Sequence, residues 1–242
     1  MRFKKALPAM LVVVLVLMFS TSVSASEINS AQISPEAISN IKQNLAEMGV
    51  DQATQAKLII KLQNGQAWDS MNPAMANEGS LTTNTFSDVS GNKIHQKKVT
   101  FPDGSVSVVN VTISEGASSS NGLITPFSVS GGTSSCGSGY CNYYGVKVSG
   151  GNGIITANFL ADYSIVNGGY DSISKVYQGS AKAQIGSISN LQQPTILRAS
   201  ESSSQSASAN MTWTYNGTVT GNATQYLILN VGSDSATSQF TT

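Results

Sequence analysis

The sequence predicts a mainly β fold, an antiparallel β-sandwich with a barrel as the alternative, preceded by a short α-helical hairpin and a β-hairpin. Three observations carry this. Ile155, Ala157, Phe159, Ala161, Tyr163 and Ile165 alternate with more polar neighbours, and Ala207, Ala209, Met211, Trp213 and Tyr215 do the same, which is the period of two of a half-buried strand. Weaker runs at Tyr143 to Val148, Ile173 to Tyr177, Thr195 to Arg198 and Tyr226 to Val231 bring the expected strands to about six, separated by Gly, Ser and Asn turns. The helical spacing of apolar residues, by contrast, is found before residue 65.

The chain opens as an export signal. Arg2, Lys4 and Lys5 precede an apolar run from Ala6 to Phe19, and Val23-Ser24-Ala25 supplies small residues for cleavage, so residues 1–25 are expected to be removed. That run is shorter than the roughly 20 residues a spanning helix needs. The rest of the chain has no second apolar run, and stable membrane insertion is not expected. Losing three cations from a chain with 13 Lys and Arg against 13 Asp and Glu leaves a mildly acidic protein. Such a balance argues against nucleic acid, which requires a basic footprint.

Residues 26–70 read as a helical hairpin. Ser34 caps a first helix with Pro35 at its first position, Ile38, Ile41, Leu45 and Met48 recur at three- and four-residue steps, and Gly49 stops it. Asp51 caps a second helix carrying Leu58, Ile59 and Leu62 up to Asn64-Gly65. A unit this small cannot bury its own stripes, so it is expected to cap the β-domain or pack on Trp68, with a partner-binding helix pair or a pro-segment as the alternatives. Residues 71–88 lack a period and read as a linker, and 89–113 as a β-hairpin turning at Pro102-Asp103-Gly104. The phase slips between Val108 and Val109, which implies a bulge or burial on both faces. A second linker, 114–122, leads into the β-sandwich domain, 123–242.

Cys136-Gly-Ser-Gly-Tyr-Cys141 holds both cysteines, and in an exported protein the pair is expected to close a disulfide. Two thiols and the single His95 do not make a metal ligand set, and no cofactor is expected. Nucleophilic catalysis would have to use His95, which sits between lysines on a hairpin strand, and no G-x-S-x-G elbow is present. Asp162, Asp171, Glu201 and Asp234 could serve a glycosidase, but four acids across the β-region are ordinary background.

The segments Ala56-Lys-Leu-Ile-Ile-Lys-Leu-Gln-Asn-Gly-Gln-Ala-Trp-Asp-Ser70, Val99-Thr-Phe-Pro-Asp-Gly-Ser105, Ala157-Asn-Phe-Leu-Ala-Asp-Tyr-Ser-Ile165 and Gly168-Gly-Tyr-Asp-Ser-Ile-Ser-Lys175 resemble uncharacterised secreted proteins of Gram-positive bacteria, bacilli and actinomycetes among them. The resemblance implies a bacterial source and an extracellular destination, and it brings no activity with it. In such a source Asn110, Asn210, Asn216 and Asn222, which fit the glycosylation pattern, would be unmodified.

The resulting expectation is a secreted, non-catalytic extracellular or cell-surface protein. Its partner would be a cell-wall glycan or an extracellular protein, met by Tyr140, Tyr143, Tyr144 and Tyr170, with the disulfide Cys136 to Cys141 holding the segment. Trp213 is a further aromatic, expected between the sheets. The alternatives are a secreted toxin acting on membranes through Ser/Thr-rich strands and an extracellular hydrolase. Oligomeric state is left open.

Overall fold

The computed structural model describes residues 33–114 and 132–241, so the expected leader, 1–25, and most of the second linker, 114–122, lie outside the described residues. Helices α1 (Pro35–Glu47) and α2 (Gln52–Gln63) begin where their caps predict. Ser34 Oγ accepts the Ala37 N–H at 3.1 Å, and Asp51 Oδ1 accepts the Thr54 N–H at 3.0 Å. At the end of α1, Gly49 takes a φ of 71° that a side chain would resist. The Val50 N–H then reaches back to the Leu45 carbonyl and the Gly49 N–H to Ala46, both at 2.9 Å, which satisfies carbonyls the helix leaves open.

The described strands are β1 (Ser80–Ser87), β2 (Asn92–Thr100), β3 (Val106–Ser114), β4 (Thr133–Gly137), β5 (Tyr140–Gly151), β6 (Ile155–Val166), β7 (Ser172–Ala183), β8 (Ser187–Ser189), β9 (Thr195–Arg198), β10 (Ala207–Gly217), β11 (Gly221–Gly232) and β12 (Ser235–Thr241). They form two antiparallel sheets. The first runs β1-β2-β3-β5-β6-β7, with β4 taking over from β3 along the same side of β5; the second runs β12-β11-β10, with β8 and β9 both against β10. The sheets share no strand among the described residues, so the architecture is the sandwich and not the barrel.

Two expectations about the middle of the chain change. The segment read as the linker 71–88 holds two short 3-10 turns and all of β1, which pairs with β2 without a register shift. β1 is exposed at every position, so no face selects apolar residues and the sequence has no alternation to display. The hairpin read at 89–113 is β2 and β3, and it belongs to the same sheet as β5, β6 and β7.

The slipped phase in β3 is burial on both faces, since its register with β2 is unbroken. Val106, Val108, Val109 and Val111 are all buried. Val108 lies beneath α1, while Ser107 on the other face lies beside Phe240 of β12. The first sheet is therefore a middle layer, with the second sheet on one side and the helix pair on part of the other. Between the sheets lie Phe159, Tyr163, Met211, Trp213, Leu227 and Leu229, all buried. A Cβ on Gly150 of β5 would meet Phe240 and Leu227, which shows how closely the sheets approach there.

Trp68 anchors the helix pair. Its ring is fully buried, its Nε1 donates to the Leu58 carbonyl at 2.8 Å, and with Leu45 it packs against Gly153 in the β5–β6 turn. Asn44 Nδ2 donates to the Gly153 carbonyl at 2.9 Å, and Lys98 Nζ to the Met48 carbonyl at 2.7 Å. Lys61 of α2 lies 2.8 Å from both Asp69 and Asp103, and the two aspartates also accept each other's main-chain N–H at 2.9 and 3.1 Å. The helix pair is a cap on the β-domain, fixed at the end that carries the β2–β3 and β5–β6 turns.

Candidate functional site

The opposite end carries the sequence-predicted tyrosines. Cys136 and Cys141 stand directly opposite each other on β4 and β5 and form a disulfide. The expected Gly-rich loop is thus a β-hairpin with a two-residue turn at Ser138-Gly139, and strand alternation splits its tyrosines between faces. Tyr143 turns toward the second sheet and stacks on Tyr163, ring centres 4.8 Å apart. Tyr140 and Tyr144 turn to the outer face and are exposed. Tyr170 is exposed in the β6–β7 turn, which abuts the hairpin through the Asn167 N–H and the Gly139 carbonyl at 2.9 Å. The structure therefore brings Tyr140 and Tyr144 onto one surface, places Tyr170 at its end, and commits Tyr143 to packing.

A bulge shapes the outer face below Tyr144. The β5–β6 register passes from Tyr143 opposite Tyr163 to Val146 opposite Ala161, leaving Tyr144 and Gly145 to oppose Asp162. Gly145 accommodates this with a φ of 64°. Asp162 accepts the Gly145 N–H and, at 3.3 Å, the Tyr177 hydroxyl, while Lys175 Nζ lies 4.8 Å from the centre of the Tyr177 ring. Burial, then the Asp162 charge, raise the pKa of Tyr177, so its hydroxyl is held as a donor. Next to this group Ser164 Oγ donates to Asn142 Oδ1 at 2.6 Å.

Further along the same face, the register aligns Asn84, Gln96, Asn110, Ser149, Asn158 and Ser180 in one row across six strands. This row was not visible in the sequence. Four of its members, Gln96, Asn110, Ser149 and Asn158, line a groove of about 340 Å³ between the sheet and Asn44 and Glu47 of α1 with Met48 just past its end, and Lys147 lies beside them. Asn158 Nδ2 donates to Ser180 Oγ at 3.1 Å. Asn110 Oδ1 is buried and has no hydrogen-bond partner. A buried acceptor left in this state loses the water it would otherwise bind, and this one lies in a groove with space for a ligand. The groove's volume falls in the range of small-molecule sites.

The remaining candidates have other roles. Trp213 is buried between the sheets, its Nε1 donating to Gln225 Oε1 at 3.0 Å and its ring 5.9 Å from that of Phe240. His95 Nδ1 is 3.0 Å from Thr85 Oγ1 across β1 and β2, and burial with the neighbouring Lys93 lowers its pKa. Asp171, Glu201 and Asp234 gather at the tyrosine end. Asp171 accepts the N–H groups of Val166 and Asp234 at 2.8 and 3.1 Å, and Glu201 those of Ser233 and Asp171 at 2.8 and 3.1 Å. Their oxygens tie three turns together. Among the described residues no helix is long and apolar enough to cross a membrane. Comparison of the chain with protein-family models, curated proteins and solved structures finds no match.

Proposed function

We propose that the protein is a secreted, non-catalytic binding protein whose outer sheet face takes an uncharged glycan, such as a cell-wall saccharide. The observation that carries this reading is the buried, unpaired Asn110 Oδ1 in a groove lined mainly by amides and hydroxyls, whose two charged members, Glu47 and Lys147, are of opposite sign. Amide side chains offer both donors and acceptors in fixed planes, and such groups match the hydroxyls of a sugar without attracting charge. Tyr144 and Tyr177 supply ring faces on the same surface, which suits the apolar face of a saccharide ring. In this reading Tyr140 and Tyr144 act with the groove, Tyr170 stands at the margin, and the disulfide fixes the hairpin that presents them.

The test is a titration of the purified protein with saccharides released from bacterial cell walls, comparing wild type with Asn110→Ala, Asn158→Ala and Tyr144→Ala. A neutral hydrogen bond contributes roughly 0.5–1.5 kcal/mol, so each amide variant should bind about 3- to 10-fold more weakly while keeping its thermal midpoint. Wild-type protein that binds none of these saccharides, or affinity untouched by all three changes, overturns the reading.

A further inference from the structure

The first sheet has two outer edges, and they differ in kind. At β7 the edge is closed: the Ile173 N–H bonds the Ala199 carbonyl at 2.8 Å, and the Gly179 N–H bonds Gln193 Oε1 at 3.2 Å. β7 is also broken by two register shifts and carries Lys175 and Lys182, devices that deter further pairing. Among the described residues β1 has none of these. Its eight residues, Ser-Leu-Thr-Thr-Asn-Thr-Phe-Ser, contain no charge and no proline, follow β2 without a bulge, and are exposed at every position.

From this contrast we infer that β1 is a dimerisation edge: two copies of the chain pair β1 to β1, antiparallel, about a two-fold axis midway between their Asn84 residues, so that their first sheets become one. A copy of this chain fits the edge better than a foreign partner for three reasons. An antiparallel edge is complemented by another such edge, and a two-fold closes the pair as a dimer with no edge left to propagate. With no charge on the strand, nothing in it selects a foreign sequence. The cations of the neighbouring strand, Lys93, Lys97 and Lys98, would lie three strand spacings from their counterparts, about 14 Å, beyond a screening length of about 8 Å at physiological salt.

The apolar residues of β1 point the same way. Leu81 is 62% exposed and Phe86 44% exposed, on opposite faces of the sheet. A partner stacked on one face would reach only one of them, whereas edge pairing gives both a cross-strand neighbour. The register follows from symmetry. A two-fold that pairs antiparallel strands is perpendicular to the sheet and keeps each residue on its own face, so opposed residues must both be even or both odd in number. Complete overlap, Ser80 against Ser87, fails this condition, and the nearest solutions centre on Thr83 or Asn84. Centring on Asn84 sets the two amides side by side, Thr83 against Thr85 and Thr82 against Phe86. The amide of one copy then continues the transverse polar row of the other.

Sedimentation of the full chain from micromolar to near-millimolar concentration should show a reversible shift to twice the single-chain mass. The double change Thr83→Lys with Thr85→Lys sets lysines opposite lysines and should abolish that shift, leaving circular dichroism unaltered and the thermal midpoint unaltered at dilutions where the wild type is itself monomeric. Asn84→Cys should give a disulfide-linked dimer under mild oxidation, whereas a cysteine at exposed Ser90 should not. Wild-type protein that stays monomeric throughout, or a dimer indifferent to the lysine pair and not cross-linked through Asn84→Cys, overturns the inference. Saccharide binding that persists in the monomeric lysine variant separates this result from the fate of the binding groove.

Discussion

Burial raises the pKa of both Asp103 and Asp171, and the neighbours of each decide which way it finally moves. For Asp103 the Lys61 ammonium and the N–H groups of Ser105 and Asp69 outweigh burial, and its pKa is lowered. For Asp171 burial dominates and the charges of Glu201 and Asp234 add to it, so its pKa is raised despite the N–H of Val166. Linkage gives these shifts opposite consequences. A depressed carboxyl pKa contributes stability above the ordinary aspartate value of 3.8 and loses it as pH falls through the folded-state value. A raised one contributes below 3.8 and loses it as pH rises through the folded-state value. Denaturant unfolding compared between neutral pH and pH below 3.8 should therefore separate two variants. Asp103→Asn should cost about 1–3 kcal/mol at neutral pH, shrinking in acid, while the deficit of Asp171→Asn should grow in acid. None of this was legible beforehand, because the Lys61 to Asp103 contact spans 42 residues and a single sequence does not reveal such pairs.

Elements were legible to the extent that one face of each is buried. The helices announced themselves through Ser34, Pro35, Gly49 and Asp51, whose roles depend only on neighbours within four residues. β6 and β10 were equally plain, each burying every second residue. β1 was missed because neither of its faces is covered, and β3 gave a slipped phase because both of its faces are. The tyrosines of β5 show the same rule within a candidate site. Tyr140, Tyr143 and Tyr144 are adjacent in sequence, yet alternation parts Tyr143 from the others, and the bulge that sets Tyr144 above Asp162 has no local signature except Gly145. The cap formed by α1 and α2 depends on Trp68, and Trp68→Ala should cost about 3–5 kcal/mol. Limited proteolysis should then cut within residues 33–70 while β5, β6, β10 and β11 remain intact. If cleavage spreads evenly through the chain, the helix pair and the sheets unfold as one unit.

At the scale of the molecule the layers are the outcome that sequence left open. Alternation establishes that strands have an inner face, but it does not tell whether two sheets face each other or one closes on itself. The answer lies in which strands the chain joins, β3 to β5 and β10 to β11, and in close approaches such as Gly150 to Phe240. The polar row from Asn84 to Ser180 was hidden for the same reason. It exists only in the register of six strands, and its members are far apart along the chain.

β3 is covered on one face by α1 and on the other by β12, with β2 and β5 at its sides. Solvent cannot reach its main chain by loosening any single neighbour. Removing the helix pair exposes Val108 but leaves Val109 and Val111 facing the second sheet, and opening the sandwich does the reverse. The amide protons of Val106 to Val111 should accordingly exchange with deuterium only through global unfolding, at the slowest rates in the chain, while those of β1 exchange through local fraying. Native-state exchange followed by mass spectrometry or NMR would read this directly, and comparable rates in β1 and β3 would refute it. In kinetic terms β3 becomes a clock for the whole domain where an opened amide exchanges faster than the chain refolds: the lifetime of its most protected amide is then the interval between complete unfolding events.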